Sequence, residues 1–538
     1  GEGIDAYKLA LSVQPNYWEA LLNLGAELQK VHFASEDRSL YPCLEALLNT
    51  ANMVTPADVA PAILSLLKHD PILVNMLQEP SGQLDLKTHL NHISKLEQLP
   101  LLQKLMRLCP LPDLELERVF TGIRSVLLEH VSALVDTPFL ASFQSTLYLQ
   151  CFLNEYVYFE TKRDTENVAN LRRHIEKSLA IGKEPELAEV LCLSSFRPLH
   201  RFRWSEDLSS LKKLPDIRER LITQPLAEQR LAREIRTLGP ISNDVSIKVK
   251  RQYEENPYPR WAQLGVTQST LPVDEYLKEQ GIRHHKLLDR ALESPRILVA
   301  GCGTGQHALQ VALRHPQSQV LALDLSRASL GYAQRQAISL GVTGLEFMQG
   351  DILDLVKLGE HFDIIESVGV LHHMDDPSAG WAVLTELLSP SGLMKVGLYS
   401  ELARQDIVKI REEILALGLQ GYESEIRAFR HQIAQSTKSH HKKVAMSKDF
   451  FSLSELRDAI FHIQEHRFTV PQLAQCLENL KLQFCGFTPS ELNYELDLYY
   501  NCQANCHDLH SWHQFEVEHP DTFRGMYQFW CQKPADIQ

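Results

Sequence analysis

Apolar residues in roughly the first 230 positions recur with the period of an α-helix. In the stretch YWEALLNLGAELQK, Leu21, Leu24 and Leu28 fall on one helix face. In TPADVAPAILSLLKHDPILVNML, Thr55 is a candidate N-cap and an apolar stripe follows it. Two later runs, DLELERVFTGIRSVLLEHVSALV and FLASFQSTLYLQCFLNEYVYFET, are amphipathic with the same period. The pattern predicts an all-helical domain over residues 1–235, in which no catalytic constellation is recognisable.

The start of this region resembles a tetratricopeptide unit. Ala6 and Ala10 match positions at the end of one repeat. Ala20, Leu24 and Gly25 match positions at the start of the next repeat. A second full repeat does not follow, and solenoids need three or more repeats to bury a continuous core. The preferred interpretation is a non-repeating helical domain with a tetratricopeptide-like start.

The pattern changes in SPRILVAGCGTGQHALQVALRHPQSQVLALDLS. A buried strand at 297–300 leads into a turn with Gly301, Gly303 and Gly305, then a helix, then a second strand that ends at Asp324. Glycines let the backbone approach a ligand closely, and a carboxylate beside the turn can accept both hydroxyls of a ribose. These features alone also fit a dinucleotide site.

The following strands decide between these alternatives. LEFMQGDI is a third strand with Asp351 after its end, HFDIIESVGVLHHMDDP is a fourth strand with a His-His loop, and GWAVLTELLSPSGLMKVGLYS ends in a fifth. The motif order over residues 296–400 closely resembles the seven-stranded class I S-adenosylmethionine-dependent methyltransferases. The resemblance implies that fold and that cofactor.

The resemblance also implies roles for individual residues. The turn of Gly301, Gly303 and Gly305 passes beneath the cofactor, Asp324 holds the ribose hydroxyls, and Asp351 accepts from the adenine amino group. The backbone of Ile352 lies beside the adenine, and the backbone of Ser367 faces the methionine moiety.

The chain departs from the family pattern at Val299, where many relatives carry an acidic residue, so another group must hold the cofactor's ammonium. The stretch VKRQYEENPYPRW is the candidate. Tyr253 and Arg260 are predicted to contact the cofactor, and Tyr258 and Trp261 the substrate. Arginine binds carboxylates bidentately, whether they belong to the cofactor or to an acidic substrate. The alternative is a linker between domains that is packed by its aromatic residues.

Residues 401–480 occupy a place where one helix is expected between strands five and six. They comprise helical patterns and the polar stretch TKSHHKKVAMSKDF, which is predicted to be mobile. An insertion after strand five lies near the carboxyl ends of the strands, where open α/β sheets bind ligands. The sequence therefore predicts a helical lid that closes, together with 253–261, over the cofactor pocket.

The insertion contains H-I-Q-E-H, which matches the inverted zinc-peptidase motif and is predicted to be helical. A zinc site needs a third protein ligand, and none is obvious nearby. The alternatives are two packed helix histidines, or a substrate lid in which Arg457, His462, His466 and Arg467 contact the acceptor. A second group, Cys502, Cys506, His507, His510 and His513, fits no zinc knuckle. No metal is expected.

The candidate bases follow from the chemistry of methyl transfer. A carboxylate acceptor needs only cations to place it, whereas a phenol or amine needs a base with a pKa near the working pH. His372 and His373, after strand four, are the main candidates for that base, and His462 and His466 of the insertion are further candidates. His372 is equally well explained as a structural residue.

Composition narrows the class of protein. Hydrophobic residues make up 44 %, charged residues 23 %, and the formal net charge of −14 argues against a nucleic-acid substrate. No apolar run approaches the roughly 20 residues that span a bilayer. Ten cysteines in mostly apolar surroundings favour buried thiols over disulfides. The start GEGIDAYKLA shows no leader pattern, which favours a cytoplasmic protein.

The sequence therefore predicts an α/β protein with a Rossmann-like seven-stranded sheet. Its expected segments are the helical domain, a linker and capping segment, the cofactor-binding core, the lid and the last two strands: 1–235, 236–295, 296–400, 401–480 and 481–538. The predicted activity is O-methylation of a carboxylate-bearing small molecule. The alternative is a protein side-chain methyltransferase that docks its target on residues 1–235. A cofactor-binding regulator without turnover is less favoured, because the glycine turn and both aspartates are present.

Overall fold

The structure is a computed structural model that describes residues 2–50, 53–79, 85–134, 141–265, 271–285, 287, 293–488 and 507–535. Its contacts divide the chain into two compact units. The first, here the helical unit, comprises Gly1–Leu226, Arg260–Thr267 and Leu415–Ala459. The second, here the sheet unit, comprises Ala227–Pro259, Gln268–Ile414 and Ile460–Gln538.

The helical unit begins with short helices whose starts follow from their first residues. Proline occupies the first turn at Pro56, Pro71 and Pro100, where the missing N–H costs no hydrogen bond. Asp70 and Asp113 accept backbone N–H groups as N-caps. The helices are Glu2–Val13, Trp18–Leu28, Tyr41–Asn49, Pro56–Leu67, Pro71–Leu77, Leu86–Leu96, Pro100–Met106, Leu114–Glu129, Ala141–Leu153, Lys162–Ala180, Leu187–Ser194, Pro215–Arg218, Glu423–Ala434 and Ser439–Ala445.

The first two helices pack as a pair, with Ala20, Leu24 and Gly25 buried. A Cβ on Gly25 would lie 2.4 Å from Val54 Cγ1, so this position requires a glycine. Ala6, predicted to close a repeat, is exposed instead. The tetratricopeptide-like start of the domain therefore stays a prediction.

The division into units differs from the segments predicted by sequence, because residues 415–459 of the expected lid pack within the helical unit. Helix Glu423–Ala434 buries Ile426, Phe429 and Ile433. The stretch predicted to be polar and mobile contains helix Ser439–Ala445, in which Val444 is buried. A lid composed of the whole insertion stays a prediction.

The sheet unit is built on eight strands: β1 (Arg236–Thr237), β2 (Arg296–Ala300), β3 (Gln319–Asp324), β4 (Leu345–Gln349), β5 (Phe362–Val368), β6 (Leu388–Leu398), β7 (Gln483–Phe487) and β8 (Tyr527–Gln532). Their spatial order is β1-β4-β3-β2-β5-β6-β8-β7. β8 is antiparallel to both neighbours, as predicted for the last strand. The predicted count of seven is wrong because β1, in the expected linker, adds a two-residue edge strand beside β4.

Helices cover both faces of this sheet, and the parallel strands are accordingly buried apolar runs. The helices are Asp244–Glu255, Val273–Glu279, Gln306–Arg314, Arg327–Leu340, Pro377–Leu387, Val470–Asn479 and Leu509–Glu518. Three more helices, Gln224–Glu234, Gln405–Ala416 and Leu453–Phe461, contain points where the chain passes from one unit to the other. Among the described residues, no helix is both long and apolar enough to cross a membrane.

The cysteines in the described ranges are free, and all but Cys476 are buried. This agrees with the prediction of reduced thiols for that part of the chain. Cys502 and Cys506 of the second candidate metal group lie outside the described residues.

Candidate cofactor and acceptor site

The turn after β2 leaves no room for side chains. Gly301, Gly303 and Gly305 have φ angles of 80°, 52° and 81°, in the left-handed region that favours glycine. A Cβ on Gly301 would lie 2.3 Å from Val370 Cγ2. This bare backbone fits a ligand that packs directly against the turn.

Asp324, the last residue of β3, faces this turn. Its carboxylate accepts hydrogen bonds from the backbone N–H groups of Gly303 and Ser326, both at 2.8 Å. Burial raises the pKa of Asp324 to about 6, and the nearby charge of Glu254 adds to the rise. An acidic group therefore lies where the sequence predicted contact with ribose hydroxyls.

Glu254 is a member of this site that the sequence analysis missed. Its carboxylate accepts from the N–H groups of Arg327 (2.8 Å) and Ala328 (3.1 Å), at the N-terminus of helix Arg327–Leu340. A helix N-terminus attracts negative charge. The stretch RQYEENPYP offers a weak signal for this role, because its acidic pair precedes a stiff proline loop.

The remaining predicted cofactor residues line the same edge of the sheet. Asp351, directly after β4, is buried and accepts from Leu353 N–H at 3.0 Å, so it caps the short helix that follows. Ile352 is also buried. Ser367 lies near the end of β5, beside Val396 of β6. The topology thus brings together at one edge the residues predicted from separate motifs.

The proline loop lies against the glycine turn. The Tyr258 carbonyl accepts from Thr304 N–H at 3.2 Å, and the Pro259 carbonyl accepts from the Thr304 hydroxyl. A Cβ on Gly303 would lie 2.7 Å from the Tyr258 carbonyl oxygen. The Tyr253 ring stacks on Tyr258 with centroids 6.3 Å apart. These contacts agree with a segment that covers the cofactor turn.

The other half of the predicted capping segment belongs to the helical unit. Arg260 Nε lies 3.7 Å from Glu155 Oε1, and Trp261 is buried. Arg457 is also in that unit and donates to the Gly421 carbonyl at 2.8 Å, whereas Arg467 is in the sheet unit. Ligand contacts by Arg260, Trp261 and Arg457 stay predictions.

The four predicted catalytic histidines lie close together in the sheet unit. His372 and His373 follow β5, and His462 and His466 lie in the chain between β6 and β7. The His372 ring stacks on Tyr399 with centroids 3.8 Å apart, and the His373 ring stacks on His462 at 3.6 Å. His466 N–H donates to the His372 carbonyl at 2.8 Å. Backbone pairing thus holds the H-I-Q-E-H stretch beside the end of the sheet.

The two histidines after β5 are electrically neutral at pH 7. Burial lowers the pKa of His372 well below its usual value, and the nearby imidazole of His373 and guanidinium of Arg404 lower it further. Burial likewise lowers the pKa of His373 to about 4. A base works best when its pKa is near the operating pH, so neither imidazole is a strong proton acceptor in this state.

The prediction that H-I-Q-E-H is helical is wrong. Helix Leu453–Phe461 ends before it, and Thr469 caps the next helix with a capping box. The spacing of the zinc-peptidase motif therefore does not place both histidines on one helix face. That the stretch binds no metal stays a prediction.

Glu465, the fourth residue of H-I-Q-E-H, forms ion pairs with three guanidinium groups. Its fully buried carboxylate lies 2.9 Å from Arg404, 3.4 Å from Arg467 and 3.9 Å from Arg411. Burial alone would raise the pKa of Glu465, but Arg404 and Arg411 hold it below its usual value. Glu465 and these three arginines are here named the arginine cluster.

The sequence analysis did not predict Arg404 and Arg411 of the arginine cluster, nor the Tyr399 ring that contacts Arg404. The guanidinium of Arg404 lies 3.6 Å above the ring of Tyr399, and Arg411 donates to the His462 carbonyl at 2.8 Å. A signal was present in ARQDIVKIR, because arginines seven residues apart in a helical pattern share one face.

Comparison with known proteins now identifies the core. Residues 297–392 match the family described as "Methyltransferase domain". An uncharacterised protein of Synechococcus is 32% identical over 205 residues, which are 37% of this chain and 49% of that protein. The release factor glutamine methyltransferase of Xylella fastidiosa is 42% identical over 93 residues, 17% of this chain and 32% of that enzyme. The trans-aconitate 2-methyltransferase of Deinococcus radiodurans is 38% identical over 101 residues, 19% of this chain and 36% of that enzyme.

The chain thus spans half or less of the length of these curated relatives. The match confirms the predicted class I methyltransferase domain and its cofactor, S-adenosylmethionine. The glycine turn, where a Cβ would collide with neighbouring protein atoms, and the buried Asp324 beside it agree with that cofactor.

Affinity for S-adenosylhomocysteine is expected to fall as the pH drops below about 6, the pKa of Asp324 without ligand. Ribose hydroxyls donate to the ionised carboxylate, so binding favours the charged form and lowers that pKa. The dissociation constant should therefore rise by up to about tenfold per pH unit below 6 and stay level above 7. Calorimetry between pH 5 and 8 measures this.

The matched variant is Asp324→Asn. It should bind about 1–3 kcal/mol more weakly at pH 8, the range for hydrogen bonds to a charged group, and its affinity should not vary with pH. Unchanged affinity in this variant would refute the role of Asp324.

Proposed function

We propose that this class I methyltransferase domain transfers the methyl group of S-adenosylmethionine to a carboxylate oxygen of a small molecule. The observation that carries the proposal is the arginine cluster at the carboxyl end of β6. Planar guanidinium groups match carboxylates in geometry as well as charge. Arg411 and Arg467 keep about a quarter of their side-chain surface exposed, which leaves them accessible to an anionic ligand.

Glu465 supports this role by fixing the guanidinium groups before a ligand arrives. A long, flexible arginine loses conformational entropy when it is ordered, and here Glu465 and Glu401 already order Arg467. Arg404 is held between Glu465 and the Tyr399 ring. Preorganised donors then place an acceptor carboxylate at little further cost.

The protonation state of the histidines favours the same acceptor class. When bound, the cofactor supplies a methyl group on an already activated sulfonium. A carboxylate attacks it without losing a proton, so His372 and His373 need only pack and exclude water, as their low pKa values allow. A phenol or ammonium acceptor would need a stronger base.

Curated relatives support two acceptor classes. One is named for trans-aconitate, and another, from Halalkalibacterium halodurans, for malonyl-[acyl-carrier protein]. The release factor glutamine methyltransferase favours the alternative, a protein side chain as acceptor. The helical unit would then dock that protein.

The expected product is a methyl ester on a small molecule. The protein is incubated with methyl-tritiated S-adenosylmethionine and a cell extract that has been split by ultrafiltration into small-molecule and protein fractions. Label should appear with the small-molecule fraction and should be released by mild alkali as volatile methanol, because esters hydrolyse whereas N-methyl groups and methyl ethers do not. Trans-aconitate and malonate serve as defined acceptors in parallel.

Two outcomes would contradict this acceptor class. Label that survives alkali excludes an ester, and label confined to the protein fraction supports the protein alternative. The matched control is Asp324→Ala, which should abolish label in both fractions if the transfer depends on this cofactor site.

A further inference from the structure

A tight turn in the helical unit carries two residues in a strained backbone conformation. Glu155 and Tyr156, which follow helix Ala141–Leu153, have φ angles of 56° and 61°, and both are buried. Residues other than glycine rarely adopt this region, and such strain persists only where surrounding contacts enforce it. Strained residues of this kind are found repeatedly where a protein holds a ligand.

Specific hydrogen bonds hold the turn. Asn154 Oδ1 accepts from Tyr156 N–H at 3.0 Å. Glu155 Oε2 accepts from the Ser452 hydroxyl at 3.0 Å and from Ser454 N–H at 2.7 Å. Glu155 Oε1 lies 3.7 Å from Arg260 Nε. Three distant stretches of the helical unit are therefore joined at this one carboxylate.

The side chain of Tyr156 ends in a hydroxyl that makes no hydrogen bond within the described residues, although the residue is only 6% exposed. A buried hydroxyl without a partner costs free energy. Burial raises the pKa of Tyr156, and the charges of Arg260, Arg201 and Arg197 act against that rise. The hydroxyl is thus a protonated donor in a positively charged neighbourhood.

His200 lies in the same neighbourhood. Its ring packs edge-on against Phe152 with centroids 6.3 Å apart, and the Arg260 guanidinium lies 5.0 Å from the Phe152 centroid. His200 Nδ1 also makes no hydrogen bond to a described residue. Arg260 and Arg201 add to the effect of burial and lower the pKa of His200 to about 4. A neutral imidazole and a guanidinium therefore lie against the same ring, that of Phe152, four residues before Tyr156.

We propose that Tyr156 and Arg260 form a binding site in the helical unit for the oxyanion of a small carboxylic acid. A carboxylate accepts from the Tyr156 hydroxyl and the Arg260 guanidinium together, and it supplies the partner that the Tyr156 hydroxyl lacks. His200, whose other ring nitrogen bonds the Leu221 backbone, is a neutral wall of the site and donates nothing to the ligand. The strained turn fixes Tyr156 in this position through Asn154 and Glu155. This site belongs to the helical unit alone and does not depend on the proposed methyl transfer.

The test is direct binding to the full chain, measured by calorimetry with malonate and, in a separate arm, with inorganic phosphate. Neutral malonamide is the control ligand. Malonate should bind and malonamide should not. Tyr156→Phe should weaken malonate about tenfold or more, the value of one hydrogen bond to a charged group, and Arg260→Gln should remove binding.

Tyr148→Phe is the matched control variant. Tyr148 is also a buried tyrosine whose hydroxyl lacks a partner among the described residues, but arginine charges do not act on it. This variant should bind malonate as tightly as the unchanged protein. S-adenosylhomocysteine binding, measured in Tyr156→Phe and Tyr148→Phe, separates this site from the proposed methyl transfer, because neither tyrosine is a predicted cofactor residue.

Three results would contradict the proposal. Tighter binding of phosphate than of malonate overturns the carboxylic-acid assignment in favour of a phosphate ligand. Equal malonate affinity in Tyr156→Phe and the unchanged protein overturns the site itself, and so does no malonate binding by a folded protein that still binds S-adenosylhomocysteine.

Discussion

Replacing Glu465 by glutamine is expected to abolish methyl transfer and to lower the free energy of unfolding by about 3–5 kcal/mol, the cost of breaking a buried ion pair. The fully buried carboxylate is the shared partner of Arg404, Arg411 and Arg467. Its loss leaves these guanidinium groups to repel one another in a low-dielectric setting. Chemical denaturation measures the stability, and a methyl-transfer assay with tritiated cofactor measures the activity.

Glu401→Gln provides the control for this experiment. Glu401 also pairs with Arg467, at 2.9 Å, but its side chain is 37% exposed. Exposed pairs contribute no more than about 1 kcal/mol, so stability should change little, and activity should fall far less than in Glu465→Gln because Glu465 still orders Arg467. Equal effects of the two substitutions would mean that the arginine cluster is an ordinary surface network.

Replacing Arg430 by methionine is expected to lower the free energy of unfolding by about 3–5 kcal/mol, since a charge at Glu117 is left without its partner. Arg430 is 2% exposed, contacts both oxygens of Glu117 at 2.6 Å, and donates to the Phe450 carbonyl at 2.5 Å. Methionine preserves the packing of the side-chain stem. Denaturant titration of the full chain gives the change.

The control for Arg430 is Arg163→Met. Arg163 also pairs with a glutamate, Glu129, but its side chain is 61% exposed. Its replacement should cost no more than about 1 kcal/mol. A small effect at Arg430 would show that residues 415–459 are not integral to the helical unit and would restore the interpretation of that segment as a mobile lid.

The cofactor half of the site was predictable from the sequence because its parts are local. The strand, the glycine turn and Asp324 lie within one stretch, and each has a residue-type requirement that sterics or charge imposes. The carboxyl edge of a parallel sheet then brings Asp351 and Ser367 alongside them. Pattern and topology together were sufficient to place these residues at one edge of the sheet, and their contacts with the cofactor stay predictions.

The pairing within the arginine cluster was not predictable, because ion pairs between distant residues have no period. Nothing in the sequence around Glu465 indicates that its partners are Arg404, which precedes helix Gln405–Ala416, and Arg411, which lies within it. The motif around it also misled, since the helical pattern before it was extended through H-I-Q-E-H, with a break expected only after it, at FTVP. The capping box at Thr469 instead starts a new helix and leaves a loop before it.

The sequence also did not show that residues 415–459 belong to the helical unit. The stretch around Ser439 is polar, and polarity without a clear period predicts a loop. The preceding helix contains Arg430. A charged residue suggests an exposed position in the sequence, but Arg430 is buried against Glu117. Strand β1 was not predicted because two residues are too few to show an alternating pattern.

The pairing of Glu117 with Arg430 also constrains how the chain is made. The two residues are 313 positions apart, and the sheet unit is largely encoded between them. At about 5–20 residues per second, a ribosome needs roughly 15–60 s to add the second after the first. During that interval the nascent helical unit lacks helices Glu423–Ala434 and Ser439–Ala445, and Glu117 has no guanidinium partner, so the helical unit cannot be completed before most of the sheet unit has been synthesised.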